Sequence, residues 1–156
     1  MQKLTTFHFG EIEYDENKII NFPHGIPGFP DDKRFLFMSE NEDEDMFFWL
    51  QSVDNGDVAF TLMNVYSVLP NYDPIVNEDE MKELGRLDDS PLEIYNIAVI
   101  PEDAKQMRVN LMAPVVINMK EGLGRQVVCI NDDYPIRYYI FEELEKFRRE
   151  SRQAEC

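Results

Sequence analysis

Asn110-Leu-Met-Ala-Pro-Val-Val-Ile-Asn118, Met119-Lys-Glu-Gly-Leu-Gly124 and Arg125-Gln-Val-Val-Cys-Ile-Asn131 follow one another without a break. Two β-branched runs flank a short segment carrying Gly122 and Gly124, the pattern of a hairpin whose loop is slightly longer than the minimal turn. Strand side chains alternate between faces, so Val115 and Ile117 share one face and Val116 and Asn118 the other. On the return run Val127 and Cys129 point one way, and Gln126, Val128 and Ile130 the other. Apolar residues on both faces put this hairpin inside a sheet rather than at a wet edge. Pro114 lacks an N–H and belongs at a strand start or a bulge.

Working outward, Leu4–Phe9, Ile12–Tyr14, Lys18–Phe22 and Arg34–Met38 read as short strands, with Asp15-Glu16-Asn17 as a turn. Phe47–Val53 and Val58–Val65 flank Asp54-Asn55-Gly56-Asp57. Asn55-Gly56 predicts a type I′ hairpin in which Val53 faces Val58 and Gln51 faces Phe60. Asn77, three acids and Gly85 frame a short helix over 78–84. Leu92–Ile100, Met107–Met112 and Ile136–Ile140 complete the strands. From Phe141 the pairs Glu142/Lys146 and Glu145/Arg149 and the stripe Leu144/Phe147 predict a helix docked on the β body, fraying after about Arg149. The expected architecture is mainly β, a single-domain antiparallel β-barrel-like fold over residues 1–140 with one or two short helices, followed by a C-terminal helix and tail over 141–156.

The chain has 156 residues, 44% of them hydrophobic, enough for one core, and a formal net charge of −16. That charge opposes binding to phosphate backbones and anionic lipid, and it suits either solubility or a basic protein partner. No apolar run reaches the ~18–20 residues needed to span a bilayer, and the N-terminus has no signal-peptide h-region. Cys129 and Cys156 read as two thiols in a reducing compartment, and the expected location is cytoplasmic.

Motifs for covalent chemistry do not occur: there is no Gly-x-Ser-x-Gly elbow, no His-Glu-x-x-His, and no Cys or His pair at metal-ligand spacing. His8 and His24 are expected in structural or surface roles. Glu40–Asp45 is acidic without the spacing of a calcium loop and reads as a solvated loop. Phe22-Pro-His-Gly-Ile-Pro-Gly-Phe29 is stiff, turned and apolar. It either plugs one end of a β core or presents a rigid apolar loop for binding. No catalytic residue, cofactor or metal is expected, and a binding module is the favoured class.

The order of these pieces resembles the FliW family of flagellar assembly factors. The resemblance rests on Gly25-Ile26-Pro27-Gly28-Phe29, on Trp49-Leu50-Gln51-Ser52 followed by Phe60, on Asn110–Asn118, and on Gln126-Val127-Val128 leading to Tyr134 and Arg137; it covers about residues 3–140. It implies a small, non-enzymatic, mostly antiparallel barrel. It also implies two protein partners, the dimeric RNA-binding translational repressor CsrA and flagellin. Flagellin, when it accumulates, would take the factor away from the repressor, and displacement of RNA would act through a distant site. No nucleic acid, membrane or small-molecule substrate is implied, and the free chain is expected to be monomeric. Candidate partner-binding residues are Ile26, Phe29, Gln51, Ser52, Asn110, Pro114 and Asn118, with Glu78, Asp79, Glu80, Asp88 and Asp89 as exposed acids to meet a basic partner. For the first group, a role in backbone shape or in satisfying strand ends competes with binding. The rival readings are a flagellin-specific chaperone without repressor binding, and a carboxylate-based hydrolase with a deep cleft.

Overall fold

A closed barrel with two helices laid on its outside is the architecture of the computed structural model, which describes residues 1–39, 46–85, 92–131 and 133–154. In chain order the strands are β1 (Gln2–Thr6), β2 (Gly10–Tyr14), β3 (Ile19–Asn21), β4 (Arg34–Met38), β5 (Phe47–Ser52), β6 (Ala59–Met63), β7 (Glu93–Val99), β8 (Arg108–Val109), β9 (Val115–Asn118), β10 (Leu123–Gln126) and β11 (Tyr138–Tyr139). The helices are α1 (Glu78–Lys82) and α2 (Phe141–Ala154). Strands β7, β6, β5, β4, β3, β10 and β9 pair in that order, and β9 pairs back onto β7 to close the ring. The acidic run Glu40–Asp45, with Asp88, Asp89 and Cys156, lies outside the described residues.

The opening hairpin is where closure happens. Leu123↔Asn118 through Gln126↔Val115 set its register, and Glu93↔Ile117 through Tyr95↔Val115 bind its outer side to β7. Every residue of β9 is buried. Val115 and Ile117 join Phe22, Phe35, Leu50 and Leu62 inside the barrel, while Val116 packs outward with Val127 beneath Met81 and Leu84 of the α1 region. Apolar residues on both faces of β9 are therefore used twice, once for the interior and once as a bed for a helix. Pro114 directly precedes β9, and its carbonyl accepts from Val127 N–H at 2.9 Å. Pairing is antiparallel at every seam of the ring except one: β3 and β10 run parallel, joined at Leu123↔Asn21.

Three local expectations are corrected. β1 stops at Thr6, because Thr6 Oγ1 donates to Gly10 O and accepts from Phe9 N–H, closing a turn with Gly10 at φ 68°. The β5–β6 register is one residue away from the type I′ expectation, with Gln51↔Ala59 and Leu50↔Phe60. Neither Asn55 nor Gly56 takes positive φ. Ser52 Oγ accepts from Asp54 and Asn55 N–H, Asn55 Oδ1 accepts from Asp57 N–H, and the loop is correspondingly wider. Gly56 is needed for a different reason: a Cβ there would sit 2.0 Å from Thr5 O, where the β1–β2 hairpin crosses and Phe7 N–H donates to Gly56 O. Finally, α2 continues past Arg149 to Ala154, with a basic last turn at Arg152 that suits the helix dipole. Leu144 and the partly buried Phe147 pack on Met63, Val109, Leu111 and Ile140 outside the ring.

Asn77 caps α1 by accepting from Asp79 N–H, and Gly85 follows at φ 86°, matching the helix the sequence predicts. Among the described residues no helix is long and apolar enough to cross a membrane.

Candidate interaction surfaces

The sequence-derived site residues divide by burial. Gln51, Ser52 and Asn118 are wholly enclosed. Gln51 Nε2 donates to Ser52 O, Gly56 O and Val58 O, and Ser52 Oγ donates to Asp32 Oδ1 at 2.7 Å. Asn118 Nδ2 donates to Leu84 O while its Oδ1 accepts from Glu121 N–H, tying the end of α1 to the hairpin loop. Pro114 is buried and Asn110 half-buried, with Asn110 Oδ1 accepting from Ala113 N–H. These five residues shape turns and strand ends; Gln51, Ser52, Pro114 and Asn118 are buried, whereas Asn110 keeps part of its surface.

Ile26 and Phe29 part company. Ile26 lies inside the barrel, whereas Phe29 is 40% exposed and stacks edge-on against Phe60 at 5.2 Å. The loop thus does both things the sequence left open: it plugs the core with Phe22 and Ile26 and shows one ring to solvent. Phe60, but not Phe29, lines an apolar groove of about 640 Å³ together with Trp49, Ile97, Val99 and Ile100. The groove exists because the β6–β7 ladder runs only from Met63↔Asn96 to Thr61↔Ala98. β7 ends one residue beyond that pair, at Val99, and β8 is bonded to its other edge. On the β1–β2 side His8 and Phe9 flank Trp49 at 5.3 and 5.4 Å, and Phe7 stands out in solvent.

The acids of α1 form a second surface. Glu78 and Asp79 are exposed, and Glu80 is partly covered by Arg125, whose Nε lies 3.9 Å from Glu80 Oε2. Neither Arg125 nor Glu83 was singled out in the sequence, yet Glu83 pairs with both Arg125 and His24, the latter at 2.8 Å. This cluster anchors α1 to β10 and to the Phe22–Phe29 loop. The hydrogen bond from His24 holds the Glu83 carboxyl below its ordinary value; partial desolvation opposes this and the field of Arg125 adds to it. A depressed carboxylate contributes stability above its ordinary pKa of 4.5, and that contribution disappears as pH falls through the folded value. Glu83→Gln should therefore lower the thermal midpoint slightly at pH 7, with the gap to the parent closing as pH falls below the ordinary carboxylate value of 4.5. Melts taken across that range check it, and a gap independent of pH would exclude the ion pair as its source.

A second pair, Arg34 with Asp54 at 2.8 Å, fastens the β5–β6 loop to β4. Burial pushes Asp54 up, but N–H groups of Lys33 and Arg34 and the Arg34 guanidinium outweigh it and keep the carboxyl low. Among the described residues no three His, Cys, Asp or Glu side chains gather as a metal site. Cys129 is buried, with its thiol toward Asn131 O and Leu111 O.

A family model described as FliW protein matches residues 3–140. The flagellar assembly factor FliW of Alkaliphilus metalliredigens is 40% identical over 151 residues, spanning 97% of this chain and 93% of its own. That of Caldicellulosiruptor saccharolyticus is 41% identical over 136 residues, spanning 87% and 88%. A crystal structure of the flagellar assembly factor FliW superposes with a TM-score of 0.81 at 31% identity, covering 90% of this chain and 97% of that one.

Proposed function

The chain belongs to the FliW family of flagellar assembly factors, a family without enzymatic activity, and from that premise we propose that it works by occupying two protein partners in turn. One is the RNA-binding translational repressor CsrA; the other is flagellin. Capturing the repressor frees flagellin translation, and accumulated flagellin draws the factor off again. The observation that carries the repressor half is charge. A net −16 on a small barrel, with Glu78 and Asp79 exposed on α1, complements a surface that must be basic to grip RNA, and docking there lowers the positive potential that holds phosphates. The apolar groove beside Trp49 and Phe60 supports the flagellin half, since a cleft of this kind accepts the apolar face of an amphipathic helix.

Co-elution of the purified chain with the repressor and with flagellin tests this. The repressor complex should weaken steeply from low to high salt, and the flagellin complex should not. Reversing Glu78, Asp79 and Glu80 to Lys should weaken repressor binding by about 10–100-fold while leaving flagellin binding intact. The groove alone is compatible with a second reading, a flagellin chaperone indifferent to the repressor. Binding to flagellin only, at every salt concentration, would select that reading, and binding to neither partner would end both.

A further inference from the structure

Pro70 and Pro135 interrupt the strand pattern, and the segments around them, Val68–Tyr72 and Asp133–Tyr138, face each other across a cavity of about 370 Å³ that shares no lining residue with the groove beside Phe60. Tyr72 is fixed at its base, its hydroxyl donating to Leu111 O at 2.6 Å and accepting from Asn96 Nδ2 at 3.1 Å. Tyr134 meets Tyr72 edge to face, 4.7 Å between ring centres at 74°, so the two rings build an aromatic corner. The hydroxyl of Tyr134 accepts from Asp73 N–H, which locks that ring as well. Tyr138 stands in the same wall and donates to the Glu143 carboxylate at the start of α2. Asp133, exposed, supplies a carboxylate at the rim.

Asp133 is the one charged side chain among the described residues lining the cavity, and the Tyr138 phenol stays neutral. The hydrogen bond to Glu143, then burial and the field of the same carboxylate, push Tyr138 up to about 12. Burial, then the Asp73 carboxylate, push Tyr66 up beside Tyr72. Rigid ring faces next to a carboxylate, in a pocket at the small end of ligand cavities, suit one long cationic side chain and leave little room for a cofactor.

We propose that this pocket receives an arginine side chain from a protein partner, its guanidinium stacked on the partly exposed ring of Tyr134 and forked onto Asp133. Its methylene stem lies along Leu69 and Pro70. Arginine fits better than lysine because a planar, weakly hydrated guanidinium stacks on a ring and pairs bidentately with a carboxylate at once, which an ammonium cannot do. The inference holds whichever partner supplies the side chain, and it stands or falls separately from the repressor and flagellin reading.

The test is an NMR titration of the purified chain with N-acetyl-arginine methylamide, its lysine counterpart, and its uncharged citrulline isostere. The arginine amide should shift the ring signals of Tyr134 and Tyr138 saturably and bind about ten times more tightly than the citrulline amide, with lysine between them. Asp133→Asn, an exposed change that leaves the fold alone, should weaken the arginine response about 5–10-fold. Tyr134→Leu should abolish it, with the backbone spectrum reporting whether that variant still folds. Equal responses to arginine and citrulline would overturn the proposal. So would shifts confined to the acids of α1, or an Asp133→Asn response identical to the parent's.

Discussion

Gln51→Glu is expected to cost the barrel about 3–4 kcal/mol at pH 7 and to recover most of it in acid. The parent side chain has no exposed surface, and the two hydrogens of its amide Nε2 are shared among three carbonyl oxygens, Ser52 O at 3.0 Å and Gly56 O and Val58 O at 3.2 Å. A carboxylate in that position aims a negative oxygen at three carbonyls and is cut off from water. Both effects penalise the ionised form and raise its pKa, by roughly two to three units for such a site, at 1.36 kcal/mol per unit. The folded pKa then exceeds the unfolded value of ~4.3, so the penalty is absent below that pH, grows through the window up to the folded pKa, and is constant above it.

At ~2–4 °C per kcal/mol for a chain of this size, the thermal midpoint should fall by about 6–16 °C at pH 7, and by much less at pH 4. Gln51→Leu is the companion variant. It removes the same hydrogen bonds without adding a charge, so its loss of about 1–3 kcal/mol should be flat with pH. A Gln51→Glu loss equal at both pH values would show that no buried carboxylate forms, and would contradict the enclosed position given to this side chain.

Gln51 also marks the boundary of what the sequence reveals. Its strand was legible, because Phe47–Ser52 is apolar and β-branched or aromatic enough to be nothing else. Its depth was not. Asn55-Gly56 suggested a tight turn, but the loop is set by Ser52 Oγ reaching Asp32 and by Thr5 pressing on Gly56, contacts from more than one strand away. The capped helix, expected over 78–84 and observed over Glu78–Lys82, was readable from Asn77 and Gly85 because its capping interactions are local. Barrel closure was legible only as a hint, the apolar residues on both faces of Val115–Asn118.

The candidate surfaces fared differently from the fold for the same reason. The groove beside Phe60 exists because the pairing of β6 with β7 ends at Thr61↔Ala98, and nothing in either strand's own composition says where that pairing ends. The Glu83–Arg125–His24 cluster joins three segments far apart in the chain, and its single early sign was an acid-rich helix with no stated mate. The sequence marks both Phe29 and Ile26 as apolar loop residues, and periodicity does not separate the half-exposed Phe29 from Ile26, three positions earlier and inside the barrel.

Phe22→Ala is expected to be the costliest apolar truncation in the chain, about 3–5 kcal/mol, and to interact strongly with a change at Gly124. Phe22 directly follows β3 and has no exposed surface; its ring meets Phe35 edge to face at 5.2 Å. Across the parallel seam, β10 presents Gly124 to the same ring, and a Cβ there would lie 2.4 Å from Cζ and 2.8 Å from both Cε atoms. The ring therefore occupies the space that any other residue at 124 would claim. That matters because β3 and β10 share only one register pair, with Asn21 N–H to Gly122 O beside it, so ring-on-backbone packing does much of the work of closing the barrel there. Gly124→Ala alone should cost about 1–3 kcal/mol by overpacking. In the Phe22→Ala background the added methyl enters the vacated space, so the double variant should be more stable than the summed single losses by about 0.5–3 kcal/mol. Urea unfolding of the four proteins measures this directly. Strict additivity would mean that the two positions do not share a space, and the account of the seam as a ring packed against a bare backbone would fail with it.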